Sequence, residues 1–348
     1  MRHSPARAYV SLLILATTFT ISARQSLPEP TPRDPRDVVI DAFRTHDIVA
    51  LSDPHGVVDQ QRFLLSLIKD SRVTATFDDV VMETLSARYQ DAVDRYVRGD
   101  DVPRATLRHA WEDHTVANST GLQAKEMIEA VRTLNRATPN HRLRVVAGDP
   151  PIDWENITSV EDHRRWIDLR DSYPADVIRH QVLERGRKAL VVYGQGHLQR
   201  RQIASNYDMS LWQEQTVVSL LERDAATHLF NVWTLLDAKV GLPAEVQRWR
   251  IPSLALLRGT SFGARDFGEF SRGLRGQGIR RKTPDPSRAR GAACRTCEFQ
   301  EGVRRRISTS WPLTTNTSEP ETATSRAGIA VLNDPLMVGV AGVARFTT

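Results

Sequence analysis

Short apolar runs alternate along the chain with longer segments in which apolar residues recur every three or four positions. Runs of the first kind are typical of strands that are buried on both faces of a sheet. Segments of the second kind are typical of amphipathic helices. The apolar runs predict strands at residues 47–52, 79–84, 142–148 and 188–194, with weaker strands at 228–236 and 253–259.

Helices are predicted beside these strands, at residues 60–68, 88–97, 122–137 and 170–185. Alternating strands and helices favour parallel pairing, because a parallel pair needs a crossover connection that a helix supplies. The sequence therefore predicts an α/β fold with a mainly parallel sheet flanked by helices on both faces.

The beginning of the chain differs from this body. Arg2 and Arg7 precede an apolar run at residues 10–21 that is short for a membrane span and is followed by small residues. This pattern predicts a signal peptide over residues 1–23 and an exported protein, periplasmic or secreted, with no stable membrane span after cleavage. An uncleaved anchor is the alternative. Residues 24–37 contain four prolines, which predicts an extended linker.

The α/β domain is predicted over residues 38–270, and the end of the chain differs again. Residues 271–348 form a basic segment and then a Ser/Thr-rich one with few periodic apolar residues, a composition that does not offset the entropy cost of ordering. We expect low order there, and one hypothesis is an altered terminus that replaces strands of the sheet. Cys294 and Cys297 form one C-x-x-C, which is only half of a zinc site.

The positive charge of the protein belongs to its ends. The net charge is +5, of which residues 1–24 carry +3, residues 272–310 carry +8 and residues 311–348 carry −1, leaving −5 for residues 25–271. Nucleic-acid binding needs a basic stripe on a folded face. An acidic body therefore argues against nucleic-acid binding.

Charged or histidine side chains lie at the end of each of the four clear strands. Because parallel strands end at one edge of the sheet, where open α/β sheets bind ligands, we expect these side chains to share one pocket. In chain order they are Asp53 and His55, Glu83, Asp149 with Asp153, and His197.

Imidazoles and carboxylates that face one crevice suit two kinds of chemistry. They can bind a divalent transition metal, for which His55, Glu83 and His197 are the candidate ligands. They can also act without a metal, with a histidine as general base to a water, a carboxylate that orients it and an arginine that stabilises negative charge. The spacing does not choose between them, and each residue alone also has an ordinary interpretation as a cap, turn or packing residue.

Four short motifs carry a resemblance to a known superfamily. They are SDPHG at residues 52–56, VVMET with Glu83, RDSYPADVI with Arg170 and Asp171, and VVYGQGH with His197. They resemble motifs of the erythromycin-esterase-like proteins, the ChaN-like haem-binding lipoproteins and the TraB/Tiki proteins, over about residues 46–201. The GDPPIDW and LVVYGQGHLQRR stretches are most similar to an exported subgroup. The resemblance implies a parallel α/β fold with its site at the strand ends.

The resemblance also implies roles for the matched residues. His55 would be a general base or metal ligand, Glu83 its carboxylate partner, Arg170 a charge-stabilising or organising group, and His197 a second catalytic or ligand imidazole. Asp53, Asp153 and Asp171 are the candidate supporting residues of the site.

Three departures separate this chain from the family pattern. Asp53 stands where the motif has glutamate, Ser52 where it has glycine, and Gly194 where the esterase-like members have a second histidine. The last of these departures argues against a macrolide esterase but not against the shared crevice. Haem binding need not transfer, because no axial ligand can be singled out.

We therefore predict an exported hydrolase-like enzyme that activates water with His55 and His197, helped by Glu83, Asp149 and Arg170, and acts on a small ester, amide or lactone. A divalent metal is a better cofactor candidate than haem. A haem- or metal-binding module without turnover and a decayed enzyme stay open as alternatives. His109 and His114 receive no role, although His114 is a candidate for lining the crevice. The sequence leaves the oligomeric state open.

Overall fold

The computed structural model describes residues 26–116, 121–140, 142–200, 215–224, 226–227, 229–234, 244–264 and 341–345. The α-helices within these residues are α1 Pro35–Ala42, α2 Val58–Ile68, α3 Gln90–Arg98, α4 Arg104–Glu112, α5 Gly121–Ala137, α6 Val160–Asp168, α7 Ser172–Gln181, α8 Val217–Leu221 and α9 Ala244–Gln247. The strands are β1 Ile48–Asp53, β2 Asp79–Ser86, β3 Arg144–Asp149, β4 Ala189–Gly194, β5 Leu229–Thr234, β6 Ser253–Leu256 and β7 Ala341–Arg345.

These strands form a single sheet in the order β3-β2-β4-β1-β5-β7-β6. All neighbouring pairs are parallel except β6 with β7, which is antiparallel. The predicted α/β fold with a mainly parallel sheet is confirmed, and strands form at all six predicted positions. In the central pair, the register runs from Ile48 opposite Ala189 to Asp53 opposite Gly194, which puts the ends of β1 and β4 side by side.

Helices cover both faces of the sheet, as predicted. Leu190 and Val192 of β4 face an apolar cluster that includes side chains of α2, α3 and α5, while Val191 and Tyr193 face a second cluster with α7 and α8. Successive side chains of a strand point to opposite faces, so a strand covered on both sides is apolar at every position. This packing explains why the buried strands are continuous apolar runs.

The sheet order creates a crevice between β1 and β4. The helix after β1, α2, lies on the first face, whereas the helix after β4, α8, lies on the second. When neighbouring strands lead to helices on opposite faces, their carboxyl ends open a crevice where α/β proteins bind ligands. Asp53 and Gly194 lie at its floor.

Three boundaries differ from the prediction. β2 continues past Glu83 to Ser86 with a register shift against β3, so Glu83 lies inside the strand. α7 ends at Gln181, and a separate 3-10 turn follows at Leu183–Arg185. α1 begins at Pro35, within the segment predicted as a linker, because Asp34 caps it and proline suits the first helical turn.

The ends of the chain lie mostly outside the described residues. The predicted signal peptide falls there, as do Cys294 and Cys297. Residues 341–345 of the predicted low-order tail form β7, between β5 and β6, while residues 271–340 are not described. The division into signal peptide, linker, domain and tail stays a prediction. Among the described helices, none combines the length and the apolar character that crossing a membrane requires.

Candidate active site

Glu83 is the centre of a buried cluster at the end of the sheet. Its Oε1 accepts a hydrogen bond from Arg170 Nη2 and lies 3.4 Å from His197 Nε2. Its Oε2 accepts the backbone N–H of Gly194 and lies 3.8 Å from His55 Nε2. Burial disfavours a charge on Glu83, but His197 and Arg170 outweigh it and hold the pKa of Glu83 well below its usual value. Glu83 is therefore ionised at neutral pH.

His55 is held in its position by Asp53. The Asp53 carboxylate accepts the His55 backbone N–H at 3.0 Å and its ring Nδ1–H at 3.0 Å. His55 has a φ of 49°, the one positive φ of a residue other than glycine among those described. This left-handed conformation costs on the order of 1 kcal/mol and persists only where the surroundings enforce it, which is common at functional sites.

His55 is also the most exposed of the charged residues around Glu83. Its side chain is 36% exposed, whereas that of Glu83 is 6% exposed. Burial opposes the positive charge on His55, but the charge and hydrogen bond of Asp53 and the charge of Glu83 raise its pKa to about 9. The imidazole is therefore protonated at neutral pH, and its Nε2 faces the cluster.

His197 has the same kind of carboxylate partner but lies deeper. It follows β4 in the 3-10 turn Gln195–Leu198, and its Nδ1 is 2.8 Å from Asp171 Oδ1. The same Asp171 oxygen accepts the backbone N–H of Val217 at 3.0 Å. Burial opposes the charge on His197, but Asp171 and Glu83 raise its pKa to about 9. Asp171 therefore orients His197 as Asp53 orients His55.

Arg170 connects Glu83 to Asp149. Its Nε lies 3.7 Å from Asp149 Oδ1, and its side chain is buried between the two carboxylates. The Asp149 carboxylate accepts the backbone N–H of Thr115 at 2.6 Å and also its hydroxyl. Burial raises the pKa of Asp149 to about 7, against the opposing effects of Arg170 and Thr115.

Most of the predicted site residues come together at this crevice. His55, Glu83, Asp149, Arg170 and His197 do so, with Asp53 and Asp171 as partners of the two histidines. Asp153 is the exception: in the described residues its carboxylate pairs with Arg88 at 2.7 Å and caps the turn Trp154–Asn156. The catalytic roles of the clustered residues stay a prediction.

Two features of the site are not evident from the sequence. Thr115 follows a helix with no motif around it, and only the fold brings it to Asp149. A glycine at position 194 lets the backbone approach another group closely, but the sequence does not indicate which group. In the structure a Cβ there would lie 3.0 Å from Glu83 Oε2 and 3.2 Å from His55 Nε2. Any side chain at this position would therefore displace Glu83 or His55.

The predicted metal ligands do not form a metal site. In the described part of the chain, no three or more His, Cys, Asp or Glu side chains are arranged to hold a metal ion. Both Glu83 oxygens already accept hydrogen bonds, and one of their donors is the Arg170 guanidinium, a cation that opposes a second cation beside it. Haem iron has no evident axial ligand either, because Asp53 and Asp171 hold the Nδ1 atoms of His55 and His197, and both Nε2 atoms face Glu83.

Comparison with known proteins identifies no family for the chain. No family model matches it, and no curated protein matches it. A solved succinoglycan biosynthesis protein is similar, with 13% identity over 60% of this chain and 74% of its own, at a TM-score of 0.43.

Two further similar solved structures are an erythromycin esterase and a ChaN protein. The erythromycin esterase EreC has 12% identity over 57% of this chain and 74% of its own, at a TM-score of 0.39. ChaN of Campylobacter jejuni, a haem-binding protein, has 11% identity over 56% and 84%, at a TM-score of 0.33. Likenesses this distant carry no functional argument, and the motif-level resemblance to an exported subgroup stays a prediction.

Proposed function

We propose that the protein is a hydrolase-like enzyme that activates water with His55, without a metal, and cleaves a small ester, amide or lactone. One observation carries the proposal: two carboxylate-oriented histidines converge on one buried, ionised glutamate, and only His55 is substantially open to solvent. A carboxylate that holds one ring nitrogen leaves the other directed for proton transfer.

Water would attack the carbonyl carbon of the substrate beside His55 Nε2. The water oxygen forms the new bond to carbon while Nε2 takes its proton, and the carbonyl π electrons move onto the carbonyl oxygen. When the tetrahedral intermediate collapses, the bond to the alcohol or amine breaks, and His55 returns the proton to that leaving group. The products are a carboxylic acid and an alcohol or amine, and the enzyme ends in its starting state.

Glu83, Arg170 and His197 act as positioning residues in this proposal. Arg170 and His197 keep Glu83 ionised, and the ionised carboxylate keeps His55 Nε2 directed towards it. Asp149 in turn holds Arg170 from its other side. The side chains of the site thus form one connected network around the reacting imidazole.

The charge balance of the site favours an uncharged substrate. Around Glu83, the cations are His55, Arg170 and His197, and the carboxylates are Asp53, Glu83 and Asp171. Asp149 is a fourth carboxyl group, 3.7 Å from Arg170, and its pKa is about 7. In the form that accepts a proton His55 is neutral, so the cluster has no excess positive charge to attract an anion. Neutral esters, amides and lactones fit such a site better than phosphorylated compounds.

A general base must be unprotonated, and His55 has a pKa of about 9. We therefore expect kcat/KM to rise about tenfold per pH unit between pH 6 and pH 8 and to level off near pH 9. If His55 acted as a general acid instead, activity would be constant over that range and fall above pH 9.

The test uses the purified protein on p-nitrophenyl esters of increasing acyl length, an anilide and a γ-lactone. The His55→Ala variant should lose about 10²-fold or more of kcat/KM, in keeping with the loss of a general base. His180→Ala is the matched control, since His180 pairs with Glu184 on an exposed helix face, and it should stay within twofold of wild type. Full activity in a folded His55→Ala variant would refute the proposal.

Export is also part of the proposal, and residues 1–23 alone support it. A fusion of residues 1–30 to a reporter enzyme that is active only outside the cytoplasm should give activity. The same fusion with Leu12→Arg and Leu13→Arg should not, because charges interrupt the apolar run that a signal peptide needs.

A further inference from the structure

The loop at residues 113–116, which follows α4, is fastened at several points. The backbone N–H and the hydroxyl of Thr115 both donate to Asp149, and His163 Nε2 donates to the Thr115 carbonyl oxygen at 2.7 Å. The indole N–H of Trp154 donates to the carbonyl oxygen at the start of the loop at 3.2 Å. A loop held in this way presents its side chains in fixed positions.

His114 is the residue of this loop that has a buried donor without a partner. The residue is 3% exposed, and its Nδ1 accepts the backbone N–H of Val116 at 3.2 Å. An accepting Nδ1 places the proton of the neutral ring on Nε2. Among the described residues, nothing accepts a hydrogen bond from this buried Nε2. Natural proteins leave few buried donors unpaired, so each one needs an explanation.

His114 precedes Thr115, whose backbone N–H and hydroxyl bind Asp149, and Asp149 Oδ1 lies 3.7 Å from Arg170 Nε. The loop that carries His114 therefore borders the cluster around Glu83. Burial, and then the positive charge of Arg170, lower the pKa of His114 to about 3, and the charges of Glu83 and His55 also act on it. The imidazole is therefore neutral over the whole range in which the enzyme would work. Its Nε2–H therefore remains a hydrogen-bond donor at neutral pH.

We propose that His114 Nε2–H binds the carbonyl oxygen of the substrate and stabilises the negative charge that develops there when water attacks. The inference rests on the hydrolase function proposed above. A fixed donor in a dry environment stabilises a developing oxyanion more than it stabilises the neutral carbonyl, which accelerates the reaction. Arg170 is less suited to this task, because its guanidinium lies between Glu83 and Asp149 and its positive charge is paired with these carboxyl groups.

The variants His114→Ala and His114→Gln separate this role from a structural one. His114→Ala should lower kcat about 10²-fold with little change in KM, as the loss of one oxyanion donor does. His114→Gln, whose amide keeps an N–H donor, should recover part of that loss. In both variants kcat/KM should depend on pH as in the wild-type protein, because this dependence comes from His55. If both lose activity equally and in step with a loss of thermal stability, the role is structural and the proposal fails.

A binding measurement separates the failure of this inference from the failure of the proposed function. If His55→Ala abolishes ester turnover and His114→Ala is within twofold of wild type, the function stands and the inference is overturned. If the wild-type protein hydrolyses no compound, the function fails, and the inference is then decided by NMR of the imidazole nitrogens. Methyl phenylphosphonate, a stable anion that mimics the tetrahedral intermediate, should shift His114 Nε2 and not His180 Nε2. No shift at saturating phosphonate would overturn the inference.

Discussion

Gly194 is the residue at which the site tolerates least change. Its backbone N–H donates to Glu83, and its Cα lies so close to the site that an added Cβ would meet Glu83 Oε2 and His55 Nε2 at 3.0 and 3.2 Å. Such contacts force one of the two side chains to shift by a few tenths of an ångström. His55 is the more exposed of the two, so we expect His55 to move.

Gly194→Ala should therefore lower kcat/KM more than tenfold, because small displacements of a reacting group are costly. Its effect on the free energy of unfolding should be modest, about 1–3 kcal/mol for an overpacked site. Steady-state kinetics and urea unfolding measure the two effects.

Val192→Ala is the control for the Gly194 prediction. Val192 lies on the same strand and faces the apolar cluster on one side of the sheet. Its truncation should destabilise the protein by a similar amount and leave kcat/KM within twofold of wild type. Equal losses of activity in both variants would show that stability, and not the position of His55, explains the Gly194 result.

The shortened carboxylate at Asp53 is also compatible with function. Asp53 accepts hydrogen bonds from both the backbone and the ring of His55, so it holds the imidazole without the extra methylene of the family's glutamate. Aspartate at position 53 therefore does not by itself prevent the orientation of His55.

At the scale of elements, the strand ends were predictable and the loops were not. The strands could be predicted because burial on both faces makes them continuous apolar runs, and parallel strands bring His55, Glu83 and His197 to one edge. The pairing of His197 with Asp171 and of Asp149 with Thr115 joins residues 26 and 34 positions apart. Those contacts form only when the fold brings distant segments of the chain together, so no local sequence pattern predicts them.

The contact between Thr115 and Asp149 joins the loop after α4 to the end of β3. Thr115→Val removes the hydroxyl donor and keeps the shape of the side chain, so the buried carboxylate loses one of its hydrogen bonds. We expect a loss of about 1–3 kcal/mol in the free energy of unfolding, typical of a hydrogen bond to a charged group. Thr115→Ser keeps the hydroxyl and should recover most of that loss.

The destabilisation by Thr115→Val should depend on pH. Asp149 has a pKa of about 7, so its carboxyl is charged at pH 8 and protonated at pH 5. A protonated carboxyl is stabilised less by the Thr115 hydroxyl than a charged one is. The difference in the free energy of unfolding between Thr115→Val and wild type should therefore be smaller at pH 5. Urea unfolding at the two pH values measures it. A difference that is the same at both would show that the Thr115 hydroxyl does not stabilise the charged form.

At the scale of the whole molecule, the cluster makes stability depend on pH in a predictable direction. The pKa values of His55 and His197 are raised from 6.5 to about 9, so the folded protein binds more protons than the unfolded chain between those values. Stability must then fall as the pH rises through this window, and the stabilising effect of the two protonated rings is fully present only below about pH 6.5. The pKa of Asp149 is also raised, to about 7, so the stability of the folded protein falls as the pH rises from about 4 to 7 as well.

Thermal unfolding of the wild-type protein at pH 6.5, 7.5, 8.5 and 9.5 should therefore give a midpoint that decreases at each step. His197→Asn removes one of the two titrating rings, so it should be less stable at pH 6.5 and lose less stability than the wild-type protein between pH 6.5 and pH 9.5. His180→Ala should keep the wild-type slope, because His180 lies on the surface and outside the cluster. A His197→Asn variant with the wild-type slope would mean that His197 does not hold its proton more tightly in the folded state. The charge balance around Glu83, on which the proposed neutral substrate depends, would then have one cation fewer at neutral pH.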